Sequence, residues 1–154
     1  MLNIKKILLP IDFSGLSKKA LPYALDLAKK FDSDLYILHV FDENTLDPYY
    51  FGNTLKSQEF YKSLQSEFQV RIQEYLKEFN ISDINIIPIL ANGVPFVEIV
   101  KCAKNEDIDL VVITTHGRTG LSHMLLGSTA EKIIRKSSKP VFVVKNPDFE
   151  FEMP

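Results

Sequence analysis

A chain of 154 residues, 45% hydrophobic and 25% charged, can bury about two thirds of its unfolded surface as one globular domain. Its 18 basic and 20 acidic residues leave a net charge of -2 and gather on no single stretch, which speaks against nucleic acid as a partner. The one cysteine, Cys102, excludes an intrachain disulfide or a multi-cysteine metal site and fits a reducing, cytoplasmic setting, while "MLNIKKILLPIDFS" carries neither a signal peptide nor a membrane anchor.

In chain order, the aliphatic run Ile4 to Asp12 reads as a buried strand ending in a loop. Leu16, Ala20, Ala24, Leu27, Ala28 and Phe31 then recur at steps of three and four, with Ser14 or Ser17 as N-cap and Lys29 and Lys30 at the far end, which predicts one amphipathic helix. Asp34 to Phe41 is a second strand, and the turn-rich stretch from Asp42 to Ser57 a long loop. Phe60, Leu64, Phe68, Ile72, Leu76 and Phe79 keep helical spacing up to a stop at Asn80, the longest helix of the chain. Ile84 to Gly93 is a third strand, and Val94 to Glu106 a helix with Pro95 in its first turn. Ile108 to Thr115 is a fourth strand, Ser128 to Ser138 the last helix and Lys139 to Lys145 the last strand, before a short tail at 145–154.

Strands that are continuously apolar, alternating with helices, call for an α/β fold in which a parallel sheet is covered on both faces. The expectation is a single domain over 1–154: a doubly wound five-stranded parallel sheet of order 3-2-1-4-5. In such a sheet the ligand crevice lies beyond the strand ends where the order reverses, here between the first and fourth strands. "PIDFS" and "TTHGRTG" leave those two strands and meet there.

Gly117 and Gly127 are separated by nine residues, and Gly127 runs straight into Ser128 and Thr129 at the start of the last helix. A helix N-terminus offers unsatisfied N–H groups and a positive dipole end, so glycine and hydroxyls at that point suit a phosphate. Neither GxxxxGK[ST] nor GxGxxG is present. The same residues also serve a purely structural reading, in which the glycines turn the chain and Ser128 caps the helix.

The chain resembles the universal stress protein family in "KKILLPIDFS", in "GVPFVEIVKCAKNEDIDLVVITTHGRTG" and in "LLGSTAEKIIRKSSKPVFVVK", which together span nearly all of it. ATP-binding members of that family carry Gly-x-x-Gly, nine residues, then Gly-Ser or Gly-Thr. On this sequence the second glycine is Gly117, the third Gly127 and the hydroxyl Ser128, whereas Thr114 stands at the first glycine position. A β-branched residue there would crowd the phosphates, or be strained if the site needs a positive φ; in ordinary backbone geometry it offers a hydroxyl instead. The resemblance implies an ATP or other adenine-nucleotide site with Pro10, Asp12 and Val40 near the adenosine. Thr114, Gly117, Gly127, Ser128 and Thr129 fall around the phosphates. Val40 is assigned a backbone contact to adenine. The resemblance also implies a homodimer joined through the last strand, which would protect a sheet edge.

Asp12 has two uses, as the acceptor of a ribose hydroxyl or holder of Mg2+ on phosphates, and as the cap of the turn before Ser14. His116 and Arg118 lie in the glycine loop as further phosphate donors. His39, His116 and His123 lack zinc-ligand spacing, Cys102 reads as an inert core thiol, and Lys132, Arg135, Lys136 and Lys139 as cations favoured at a helix C-terminus. Three functions follow: a homodimeric ATP-binding stress-response module; a dimeric interaction module that has lost the nucleotide at Thr114; and, least supported, an enzyme no faster than a slow ATPase. A phospho-acceptor receiver is disfavoured, since "LANG" stands where its acceptor Asp belongs.

Overall fold

The computed structural model describes residues 2–42, 58–115 and 126–145. Within them the chain runs β1 (Lys6–Ile11), α1 (Gly15–Lys18), α2 (Leu21–Phe31), β2 (Asp34–Phe41), α3 (Gln58–Leu76), β3 (Ile86–Asn92), α4 (Pro95–Asn105), β4 (Leu110–Thr114), α5 (Ser128–Lys136) and β5 (Val141–Val144). All strands are parallel and ordered β3-β2-β1-β4-β5, the order expected from the sequence. All but the first residue of the expected loop (42–57) and of the expected tail (145–154) lie outside the described residues.

Alternation along the strands divides the core between two faces. Ile7, Leu9, Ile11, Leu35 and Ile37 point to one side, where α2 brings Leu21, Ala24 and Leu25 and α3 brings Phe68, Ile72 and Tyr75. Leu8, Leu38, Val111 and Ile113 point to the other, against Ile99 and Ala103 of α4 and Ala130 and Ile133 of α5. Ile7, Leu8, Leu9 and Leu35 are fully enclosed, and each such side chain contributes about 1.5–3 kcal/mol of burial.

The first predicted helix is two helices. Pro22 has no N–H and its ring clashes with the carbonyl four residues back, so α1 stops at Lys18 and α2 begins at Leu21 with Pro22 in its first turn. Ser14, the first of the two expected caps, is the cap in fact: its Oγ accepts the Ser17 N–H at 3.1 Å. Ser17 is buried and donates to the Ser14 carbonyl at 3.0 Å. α3 ends at Leu76, short of the expected stop at Asn80, and its buried residues, Phe68, Ile72, Tyr75 and Leu76, all lie in its second half. Phe60 and Leu64, expected on its core face, are half-buried.

Candidate functional site

Strands β1 and β4 are registered at Ile7↔Leu110 and Leu8↔Val111, and both continue beyond that pairing, to Ile11 and Thr114. Because α2 and α3 cover one face and α4 and α5 the other, no crossover helix closes the gap between these strand ends. A cleft of about 690 Å3 opens there, within the usual size of small-molecule sites. Seven residues singled out from sequence line it: Pro10, Asp12, Val40, Thr114, Gly127, Ser128 and Thr129. They come from β1, β2, β4 and α5. His116, Gly117 and Arg118 lie outside the described residues.

Asp12 makes the turn contact expected of it, Oδ1 accepting the Ser14 N–H at 2.9 Å. That bond helps hold Phe13 at φ 59°, a left-handed conformation unusual for an aromatic residue. Thr114 belongs to β4, opposite Val144 of β5, and is absent from the residues with positive φ. The side chain that replaces the family's glycine therefore imposes no backbone strain. Gly127 also has an ordinary conformation, φ -69° and ψ 150°. It is the N-cap of α5, so Ser128 is the first residue of the helix and not its cap, a correction to the structural reading. Its N–H donates to the Thr115 carbonyl at 2.6 Å, and Thr115 N–H donates to Val144 at 3.1 Å. These two bonds tie the α5 N-terminus to the ends of β4 and β5. Among the described residues no side chain caps the first turn of α5, whose leading amides and the exposed Ser128 and Thr129 stand at the cleft.

Backbone direction settles what Val40 presents. Asp34 N–H donates to Lys5 on the β1 side, and the Phe41 carbonyl accepts from Gly93 on the β3 side. The polar groups of successive strand residues alternate between sides, so those of Val40 face β1. The last registered β1–β2 pair is Ile11↔His39. Val40 stands one residue further, where β1 has turned away into Asp12 and Phe13.

The sequence did not reveal the wall on the α3 side. Phe13 packs against His39 at 4.8 Å between centroids and edge-on to Tyr75 at 5.6 Å, while His39 stacks on Phe68 at 6.1 Å. His39 Nδ1 lies 2.9 Å from the Ile11 carbonyl, so it is a packed wall residue. The Arg71 guanidinium sits 4.0 Å above the Phe13 ring, and Glu67 and Arg71 both line the cleft. Helical spacing marks Phe68 as a core position, but no local signal says that Arg71, three residues later, overhangs the cleft.

Away from the cleft, burial pushes the Cys102 thiol up to about 11, with the charges of Glu106 and Glu98 adding to the effect, which fits an unreactive thiol. Of the basic residues near the end of α5, Arg135 pairs with Glu131 at 3.4 Å, and Lys132 and Lys136 lie over the Phe96 ring at 4.9 and 5.8 Å. Among the described residues no helix is long and apolar enough to cross a membrane.

A doubly wound α/β domain with an open cleft at its topological switch point is an architecture suited to binding a small ligand. The model of the universal stress protein family matches residues 3–145, and the chain belongs to that family. It is 36% identical over 147 residues to the universal stress protein MJ0531 of Methanocaldococcus jannaschii, covering 95% of this chain and 85% of that one. Universal stress protein MJ0577 of the same organism is 33% identical over 153 residues, 92% of this chain and 94% of that one. The solved structure of MJ0577 superposes with a TM-score of 0.75 at 35% identity, covering 96% of this chain and 99% of that chain. Two more distant members share the fold: a universal stress protein solved in complex with cAMP (TM-score 0.65, 19% identity, 94% and 98% covered) and one from Archaeoglobus fulgidus solved in complex with dAMP (TM-score 0.60, 19% identity, 93% and 98% covered).

Proposed function

We propose that this protein is a cytoplasmic, homodimeric stress-response module that binds ATP or another adenine nucleotide in the β1/β4 cleft. The observation that carries the proposal is convergence: seven residues chosen from separate stretches line one cleft. Fold relatives solved with cAMP and dAMP support an adenine nucleotide as the occupant.

In this reading the first-turn amides of α5, its dipole and the Ser128 and Thr129 hydroxyls hold the phosphates. Asp12 accepts a ribose hydroxyl, and the backbone of Val40 meets the adenine edge. Asp12, Asp42 and Glu67 line the cleft, yet among the described residues no three acidic, His or Cys groups form a metal cluster. The donor set therefore fits Mg2+ carried on nucleotide phosphates with Asp12 as a protein ligand, the usual arrangement for that ion. Bound there, the ion would neutralise phosphate charge. The ordinary backbone of Thr114 favours this reading over an interaction module emptied by strain. Among the described residues β5 is the last strand of the sheet order, which supports a dimer through that strand.

The test is mass spectrometry of ligand released on denaturing freshly purified protein, followed by titration with ATP, ADP and AMP with and without Mg2+. Recovery of an adenine nucleotide with micromolar affinity is the expected result. Empty protein that binds nothing at millimolar ATP would refute it.

A further inference from the structure

Arg71 is the one lysine or arginine among the described residues that line the cleft. Its guanidinium lies 4.0 Å from the centre of the Phe13 ring, a cation–π contact that leaves its hydrogen-bonding capacity unspent on the ring. Among the described residues it has no carboxylate partner, although Glu67 stands four positions earlier on α3 and lines the same cleft. The ring beneath it is held by the left-handed backbone of Phe13. For a bulky side chain that conformation costs free energy and concentrates at ligand sites.

The position of this cation relative to the α5 N-terminus decides its use. α3 packs on the face that carries Ile7, Leu9 and Ile11, and α5 on the face that carries Leu8 and Ile113. The cleft thus has two electropositive features on opposite flanks, and the strand end bearing Asp12 lies between them. With the 5′-phosphate chain at α5, as in the reading above, the Arg71 flank is left to a group carried on the ribose. An arginine near the ribose is the group that accommodates a ribose phosphate in nucleotide sites.

We propose that Arg71 makes the cleft selective for an adenine nucleotide with anionic groups in two places, a 5′-phosphate and a second phosphate on the ribose 2′ or 3′ oxygen. This rests on the nucleotide reading above and adds the class of ligand. The planar fork of Arg71 meets the second phosphate through charge-assisted hydrogen bonds, and Phe13 is the platform that keeps the fork extended.

The experiment is calorimetric titration, at fixed ionic strength and without Mg2+, with AMP, adenosine 2′,5′-bisphosphate and adenosine 3′,5′-bisphosphate. In the parent protein one of the bisphosphates binds at least about tenfold tighter than AMP, the gain expected of one charge-assisted pair. Arg71→Gln removes that gain and leaves AMP affinity within about twofold, and Arg71→Lys restores part of it. Equal binding of AMP and both bisphosphates by the parent overturns the assignment while leaving the nucleotide reading intact. An unchanged bisphosphate preference in Arg71→Gln, or an equal loss for AMP, overturns the role of Arg71. Failure of all three ligands and of ATP to bind at millimolar concentration removes both readings together.

Discussion

Replacing Tyr75 by Phe tests how firmly the cleft turn is tied to α3. The Tyr75 side chain is buried, and its hydroxyl lies 3.3 Å from Ser17 Oγ. Burial raises its pKa from 10.0 to about 12, opposed by the Ser17 hydrogen bond and assisted by the Asp12 charge. The folded protein therefore keeps this proton to a higher pH than the unfolded chain. The stabilisation is complete below pH 10 and declines as pH rises through about 12. A shift of two units corresponds to at most about 2.7 kcal/mol, and residual solvent screening lowers the expected loss to about 1–2 kcal/mol. In Tyr75→Phe the Ser17 hydroxyl still donates to the Ser14 carbonyl, so at pH 8 the variant loses only about 1 kcal/mol. Urea unfolding followed by far-ultraviolet circular dichroism suits a chain without tryptophan. Measured from pH 8 to pH 11.5, the parent starts about 1 kcal/mol more stable, and its advantage shrinks steadily above pH 10. A stability difference that stays constant across that range would show that the Tyr75 hydroxyl is solvated, and the account of its burial would be wrong.

Three further outcomes are expected. Gly127→Val keeps the fold, because φ -69° and ψ 150° suit any residue, but lowers nucleotide affinity at least about tenfold by blocking approach to the α5 amides; retained affinity in titration would place the phosphates elsewhere. Thr114→Gly costs about 1 kcal/mol of stability, as glycine does within a strand, and leaves affinity within about threefold. A large tightening would instead identify Thr114 as an obstruction. Cys102 in folded protein at pH 8 reacts with a disulfide reagent about two orders of magnitude more slowly than in urea-unfolded protein, since its thiol is pushed up to about 11; equal rates would mean the thiol is solvated.

Local rules carried the reading of the strands. Runs such as Leu35 to Leu38 are hydrophobic throughout because both sides of the sheet are covered, and that pattern is visible in one dimension. The boundary missed at Pro22 was also local in cause. Apolar periodicity continued through the proline, but its missing N–H and its ring ended α1.

The sequence by itself determined the doubly wound sheet and, through the right-handedness of crossovers, its point of reversal. With the family resemblance, it also brought Asp12, Thr114, Gly127 and Ser128 to one place, since strand ends at a switch point must meet. Only the tertiary structure decided the lining of that place. Whether Thr114 is strained depended on its lying within β4, and what Val40 offers depended on β1 turning away one residue earlier. The Phe13, His39, Phe68 and Arg71 wall joins residues up to 58 positions apart in the chain. Their meeting follows from how α3 lies across the sheet and from the left-handed turn at Phe13, and neither leaves a period or a motif in the sequence.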